Sequence, residues 1–205
     1  MRIILETAEF FAIDKPAGLP TIPDRLGSTS VHDQLEVELG QKLWIVHRLD
    51  REVTGVLLFA RTAAAHRSLS MAFEYGQAHK TYEAWTGGIE PEQRTFRWQD
   101  KLLRGKKRAY AHAAGKDAIT LAEYTGQAAQ AGLWAWQLQP LTGRNHQLRV
   151  HLASHGWPIA GDQLYGSTVQ WRTGEIALRA RVLTLEPAVL GRPITIEAGP
   201  IEINS

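Results

Sequence analysis

Apolar residues in this chain come in runs of strand length, each closed by turn residues, and the stretches between the runs are short. The longest clean runs, such as Gly55–Ala60, fall far short of the roughly 20 residues that cross a bilayer as a helix. Such short connections leave little room for the crossovers that parallel strands require, so an α+β fold with a largely antiparallel sheet is expected. Strands are expected near Glu9–Asp14, Leu43–His47, Gly55–Ala60, Lys80–Thr86, Ile119–Thr125, Trp134–Gln139, Ile176–Leu185 and Pro193–Ala198. Ile119–Thr125 and Trp134–Gln139 read as hairpin arms around the segment 127–132. Helices are expected over Val31–Leu39, with Ser30 as N-cap, Asp33 three residues on and Gly40 as stop; over Ala63–Tyr75, between Thr62 and Gly76; and over Asn145–Ser154, stopped at Gly156.

The 205 residues are 44% hydrophobic and 21% charged, enough apolar surface for a core, and no repeat or linker divides them, so one domain over 1–205 is expected. The absence of cysteine excludes a disulfide scaffold, a thiolate metal site and a thiol nucleophile together. Met1-Arg2 leads into a short apolar stretch broken by Glu6, Glu9 and Asp14, which is not a signal peptide. A cytoplasmic monomer is the expectation.

The net charge of +2 says little about partners, but its distribution is uneven. Residues 1–40 hold seven acidic side chains against three basic ones, so the basic excess lies in the remainder. Between Arg97 and Lys116 stand seven basic residues, among them Lys106, Lys107 and Arg108, against the single acid Asp100, with Phe96, Trp98 and Tyr110 interleaved. Basic residues mixed with aromatics suit phosphate neutralisation and base stacking. A solvated loop or hairpin tip has the same composition.

Two segments concentrate reactive groups. His47-Arg48-Leu49-Asp50-Arg51-Glu52-Val53-Thr54-Gly55 places a carboxylate between two apolar strands, where it serves either as a nucleophile or general base or as an ordinary turn residue. Leu141-Thr142-Gly143-Arg144-Asn145-His146-Gln147-Leu148-Arg149 opens the third helix and puts Arg144 and Asn145 near its positive end, where anions bind. His151 and His155, four apart on that helix, allow a metal-dependent hydrolase reading, but no acidic residue stands near them at ligand spacing.

HRLDREVTGVLLFA and LTGRNHQLRVHLASHGWPIAGDQLYG resemble the two signature segments of the RluA-type pseudouridine synthase family. His79–Gly88 is similar to that family's tyrosine-bearing strand, and Phe11–Pro20, with Asp14-Lys15-Pro16-Ala17-Gly18, to its lead-in. The four segments occur in family order from residue 11 to about 166. Against the usual pattern, Val53-Thr54-Gly55 replaces Thr-Ser-Gly, Asn145 a Thr or Ser, and Arg179 a His. Because the lead-in begins by residue 11, no S4-type RNA-binding domain is expected before it.

The resemblance implies a pseudouridine synthase fold, with a mixed, mainly antiparallel sheet, flanking helices and a central basic cleft. It also implies an enzyme that isomerises uridine in tRNA or rRNA without metal or cofactor. Asp50 would be the catalytic aspartate, acting on uracil C6 or ribose C1′ or assisting elimination. Arg149 would be its cationic partner, and Tyr82 would stack on the base and take part in proton removal. The target nucleotide must leave its stack, and Arg48 would fill the gap. His47, Arg144, Asn145, His146, Gln147, Lys106, Lys107 and Arg108 are the expected RNA contacts. An RNA-binding or RNA-folding protein with a degenerate active site is the alternative, opposed by the intact Asp50, Tyr82 and Arg149.

Overall fold

The computed structural model describes residues 1–23, 27–130, 132–187 and 191–202, which form two compact units. Ala131, in the expected 127–132 turn, lies outside the described residues.

The first unit comprises Met1–Lys80 and Ala180–Gly199. Its strands β1 (Arg2–Glu6), β2 (Phe10–Lys15) and β4 (Thr54–Ala60) are neighbours in that order, followed by β10 (Leu178–Leu185), most of which belongs here. The two-residue β3 (Trp44–Ile45) pairs with β4, and β11 (Ile194–Glu197) with β10. The β1–β2, β2–β4, β3–β4 and β10–β11 pairs are antiparallel. Phe10, Phe11, Ala12 and Ile13 are all buried, as both faces of β2 are covered. On one face Phe10, Val56 and Leu58 pack with Leu69 and Ala72 of α2 (Ala63–Glu74). On the other, Phe11 stacks on Phe59 at 5.7 Å.

Helix α1 (Val31–Leu39) begins as its sequence dictates. The Ser30 hydroxyl accepts from the Asp33 N–H, the Asp33 carboxylate accepts from the Ser30 N–H, and Gly40 ends the helix in the left-handed region. Thr62 caps α2 by accepting from the Ala65 N–H, and Ala65, Leu69 and Ala72 make its buried stripe.

The second unit comprises Thr81–Arg179 with the described residues 200–202. Its strand order is β5 (Ala78–Thr86), β9 (Trp134–Pro140), β8 (Lys116–Gln127), β6 (Thr95–Arg104), β7 (Ala109–Ala111), with every neighbouring pair antiparallel. The basic stretch is therefore folded as the strands β6 and β7 and the turn between them. Alternation explains it: Trp98 and Leu102 are buried while Arg97, Gln99 and Lys101 are exposed. Helix α3 spans Gln147–Ser154 and starts two residues later than expected, because His146 adopts a left-handed conformation (φ 52°) and caps it without a side-chain bond. Trp98, Trp136, Trp157 and Phe96 form an aromatic core cluster on this unit's sheet. No helix among the described residues is long and apolar enough to cross a membrane.

Candidate functional site

In the first unit Asp50 sits in the turn that runs into β4, and the main chain on either side of it is clamped by the lead-in segment. The Thr21 hydroxyl donates to the Leu49 carbonyl (2.9 Å) and accepts from the Leu49 N–H (3.0 Å). On the far side, the fully buried Lys15 ammonium donates to the carbonyls of Pro16 (2.8 Å), Arg51 (3.2 Å) and Val53 (2.9 Å). These carbonyls offset the cost of withdrawing the cation from water. The Val53 N–H closes the turn on the Asp50 carbonyl at 3.2 Å, and the Gly18 N–H reaches the Arg51 carbonyl at 2.9 Å.

Gly55 follows with φ 106°, and a Cβ there would stand 2.1 Å from the Ala180 carbonyl oxygen, so only glycine lets β4 approach that strand. Arg48 is exposed. His47, expected among the RNA contacts, is occupied by the fold: its Nε2 accepts from the Leu58 N–H at 3.1 Å and its ring stacks on Phe73 at 4.9 Å. That acceptor role requires an unprotonated Nε2. Burial, reinforced by the Lys80 ammonium, pushes the imidazole down to about 3.

In the second unit Tyr82 lies on β5, largely buried and opposite Leu138 of β9. Arg149 is buried on α3 and makes a two-pronged ion pair with Asp162, Nε to Oδ2 at 2.7 Å and Nη2 to Oδ1 at 2.8 Å. This fork geometry compensates two charges withdrawn from water. Gln147, also expected to meet RNA, is instead consumed internally. Its Oε1 accepts from the Thr142 hydroxyl and the Arg144 N–H, and its Nε2 donates to the Ile119 carbonyl and the Thr120 hydroxyl. Arg144 donates from Nε to the Asp117 carbonyl at 2.8 Å, and Asn145 is partly exposed beside it. The His146 imidazole meets the Tyr165 hydroxyl at 2.9 Å. Lys106, Lys107 and Arg108 are exposed in the turn from β6 to β7, which the Gly105 N–H closes on the Arg108 carbonyl.

His151 and His155 are engaged otherwise than as a ligand pair. His151 is buried, with Nδ1 2.9 Å from the Thr120 hydroxyl and Nε2 3.6 Å from Asp100, and burial pushes it down to about 4 against the opposing pull of Asp100. His155 stacks on Trp98 at 4.9 Å. No group of three or more His, Asp or Glu placed to hold a metal occurs among the described residues.

The sequence model for RNA pseudouridylate synthases matches residues 9–154, which take in the Asp50 turn, Tyr82 and Arg149. The chain belongs to this family. It is 42% identical to an uncharacterized RNA pseudouridine synthase of Zymomonas mobilis over 96% of its own length and 92% of that protein's. It is 31% identical to tRNA pseudouridine synthase C of Yersinia pestis, over 97% and 86% of the two chains. Among solved structures, human RNA pseudouridylate synthase domain containing 1 shares its fold, with a TM-score of 0.81, 22% identity and coverage of 97% and 82%.

The chain is thus an RNA pseudouridine synthase, an isomerase with the α+β fold of that family. Sequence reasoning missed three of this synthase's residues. Thr21 looks like any loop threonine, and a lysine before a proline reads as surface. Asp162, the acid that pairs Arg149, had a signal: it is the one carboxylate in the stretch Ala160–Gly166 that carries the second signature onward.

Proposed function

We propose that this synthase isomerises uridine to pseudouridine in transfer or ribosomal RNA, with Asp50 as its catalytic carboxylate and residues 1–205 acting as one catalytic domain. The observation that carries the reading is the clamp on the Asp50 turn, within a chain of this family. Bonds from Thr21 and Lys15 to the main chain on both sides of one aspartate are what a carboxylate needs if it must meet a reacting atom with little freedom of position.

The reaction is balanced without a cofactor. The bond from uracil N1 to ribose C1′ breaks, the ring turns, C5 joins C1′, the C5 proton is lost and N1 gains one. Asp50 takes part in the first of these steps. Arg149, locked by Asp162, supplies fixed positive charge, and Tyr82 stacks on the extruded base. Arg48 fills the vacated stack. Lys106, Lys107 and Arg108 meet phosphates, with Arg144, Asn145 and His146 as further contacts. His47 and Gln147 serve as internal struts.

Transfer RNA is favoured among the substrates by the likeness to tRNA pseudouridine synthase C of Yersinia pestis. A cytoplasmic location belongs to the same reading. A map of pseudouridines in cellular RNA with and without this protein tests the reading. Loss of the modification at defined uridines, restored by the wild-type chain and not by Asp50→Asn, is expected. An unchanged map would overturn it.

A further inference from the structure

Tyr165 stands at the junction of the second unit's two functional parts. Its hydroxyl oxygen lies 3.0 Å from the Ala109 nitrogen, 3.0 Å from the Ala109 carbonyl oxygen and 2.9 Å from His146 Nδ1. A phenol has one proton and two lone pairs. The carbonyl only accepts, so the phenol proton goes there. The Ala109 N–H fills one lone pair, and His146 Nδ1 meets the same oxygen. One hydroxyl thus closes the first residue of β7 against the cap of α3.

The ring is used as fully. The Arg149 guanidinium lies 5.2 Å from its centroid and that of Arg108 5.9 Å, and Arg108 also donates to the Leu164 carbonyl at 3.1 Å. Beneath, Tyr165 packs on the cluster of Leu102, Ala109, Ala118 and Val150, which joins β6, β7 and β8 to α3. Three residues before it is Asp162, whose carboxylate holds Arg149 and whose carbonyl accepts from the Tyr165 N–H at 3.1 Å. The short turn 162–165 therefore carries the partner of Arg149 at one end and the anchor of the basic hairpin at the other.

We propose that Tyr165 is a positioning residue that couples engagement of RNA by the Lys106–Arg108 turn to the placement of Arg149. This rests on the proposed function. A phosphate drawn to the turn bears on Ala109 and Arg108, both bound to Tyr165, and through the 162–165 turn on the carboxylate that orients the Arg149 guanidinium. RNA that does not engage the turn leaves Arg149 without this bias.

The test is a double-mutant cycle on single-turnover tritium release from RNA labelled at uracil C5, at saturating enzyme, with RNA affinity measured alongside. Tyr165→Phe keeps the ring and removes the hydroxyl. It should slow release by about two- to thirtyfold with RNA affinity nearly unchanged. Replacing Lys106 and Lys107 by Ala should lower affinity in both backgrounds, but should slow the saturating rate only where Tyr165 is present. Arg108→Lys, which keeps a phosphate-binding charge on an exposed residue and loses the guanidinium that bonds Leu164 and lies over the Tyr165 ring, should slow release in the same direction, and it guards against a fold defect in Tyr165→Phe. Multiplicative rate effects of the hairpin and Tyr165 variants, or a Tyr165→Phe enzyme with a lower melting temperature and an intact saturating rate, would overturn the coupling. If the wild-type protein releases no tritium, the proposed function fails instead.

Discussion

The two units fix their candidate catalytic groups by different means. Around Asp50 the turn itself is anchored through its main chain: Thr21 holds Leu49 by both its N–H and its carbonyl, and Lys15 holds Arg51 and Val53. Around Arg149 the bonds run to the side chain itself, through the fork to Asp162. The difference follows from the chemistry asked of each. A carboxylate that forms or assists bond changes must meet a reacting atom with little freedom of position, so the turn that carries it has to be rigid. A guanidinium that supplies only charge loses nothing by being tied down, and its burial demands a partner.

The largest effect that would break this comparison is chemical. Asp50→Asn preserves the turn and the shape of the side chain, and tritium release should fall by more than about a thousandfold with RNA binding retained. Asp162→Ala should act mainly on stability: it leaves Arg149 charged and buried without its fork, and urea unfolding should show a loss of about 3–5 kcal/mol. Thr21→Val strikes the main-chain clamp. It leaves the Leu49 N–H and carbonyl unpaired in a buried place, so about 1–3 kcal/mol of stability should go, together with part of the single-turnover rate. Were Thr21→Val to lose stability alone, main-chain fixation of Asp50 would have no catalytic meaning.

A pH effect sharpens the comparison further. His47 in the first unit and His151 in the second are pushed down by burial, to about 3 and about 4. Each takes up its proton more readily in the unfolded chain, near the ordinary histidine value of about 6.5. Their contribution to stability is therefore complete above that value and is lost as the pH falls toward 3–4. One such histidine gives a slope of up to about 1.4 kcal/mol per pH unit in that window. Denaturant titrations between pH 7 and 4 should show this slope reduced in His47→Asn and His151→Asn separately.

What could be read in the sequence was what short-range chemistry decides. Ser30, Asp33 and Gly40 bound α1 at its observed ends, and Thr62 starts α2, because caps act within three residues. The resemblance of the motifs led to the family that the chain belongs to. What escaped was decided at a distance or by a competing signal. The lysines and arginines of 97–116 drew the reading to charge, and the alternation of Trp98 and Leu102 with exposed residues, which marks β6, was overlooked. The start of α3 shifted because the Gln147 side chain takes the Arg144 N–H and the Thr142 hydroxyl, a closure no spacing rule shows. Lys15 is fully buried because the carbonyls of Pro16, Arg51 and Val53 come together only when the Asp50 turn has folded over it.

The central claim is that the clamped Asp50 carries out the isomerisation. RNA labelled with tritium at uracil C5, offered to the wild-type protein and to Asp50→Asn, addresses it most directly. The account predicts tritium release and pseudouridine from the first, and bound, unchanged RNA from the second. Normal turnover by Asp50→Asn would contradict it.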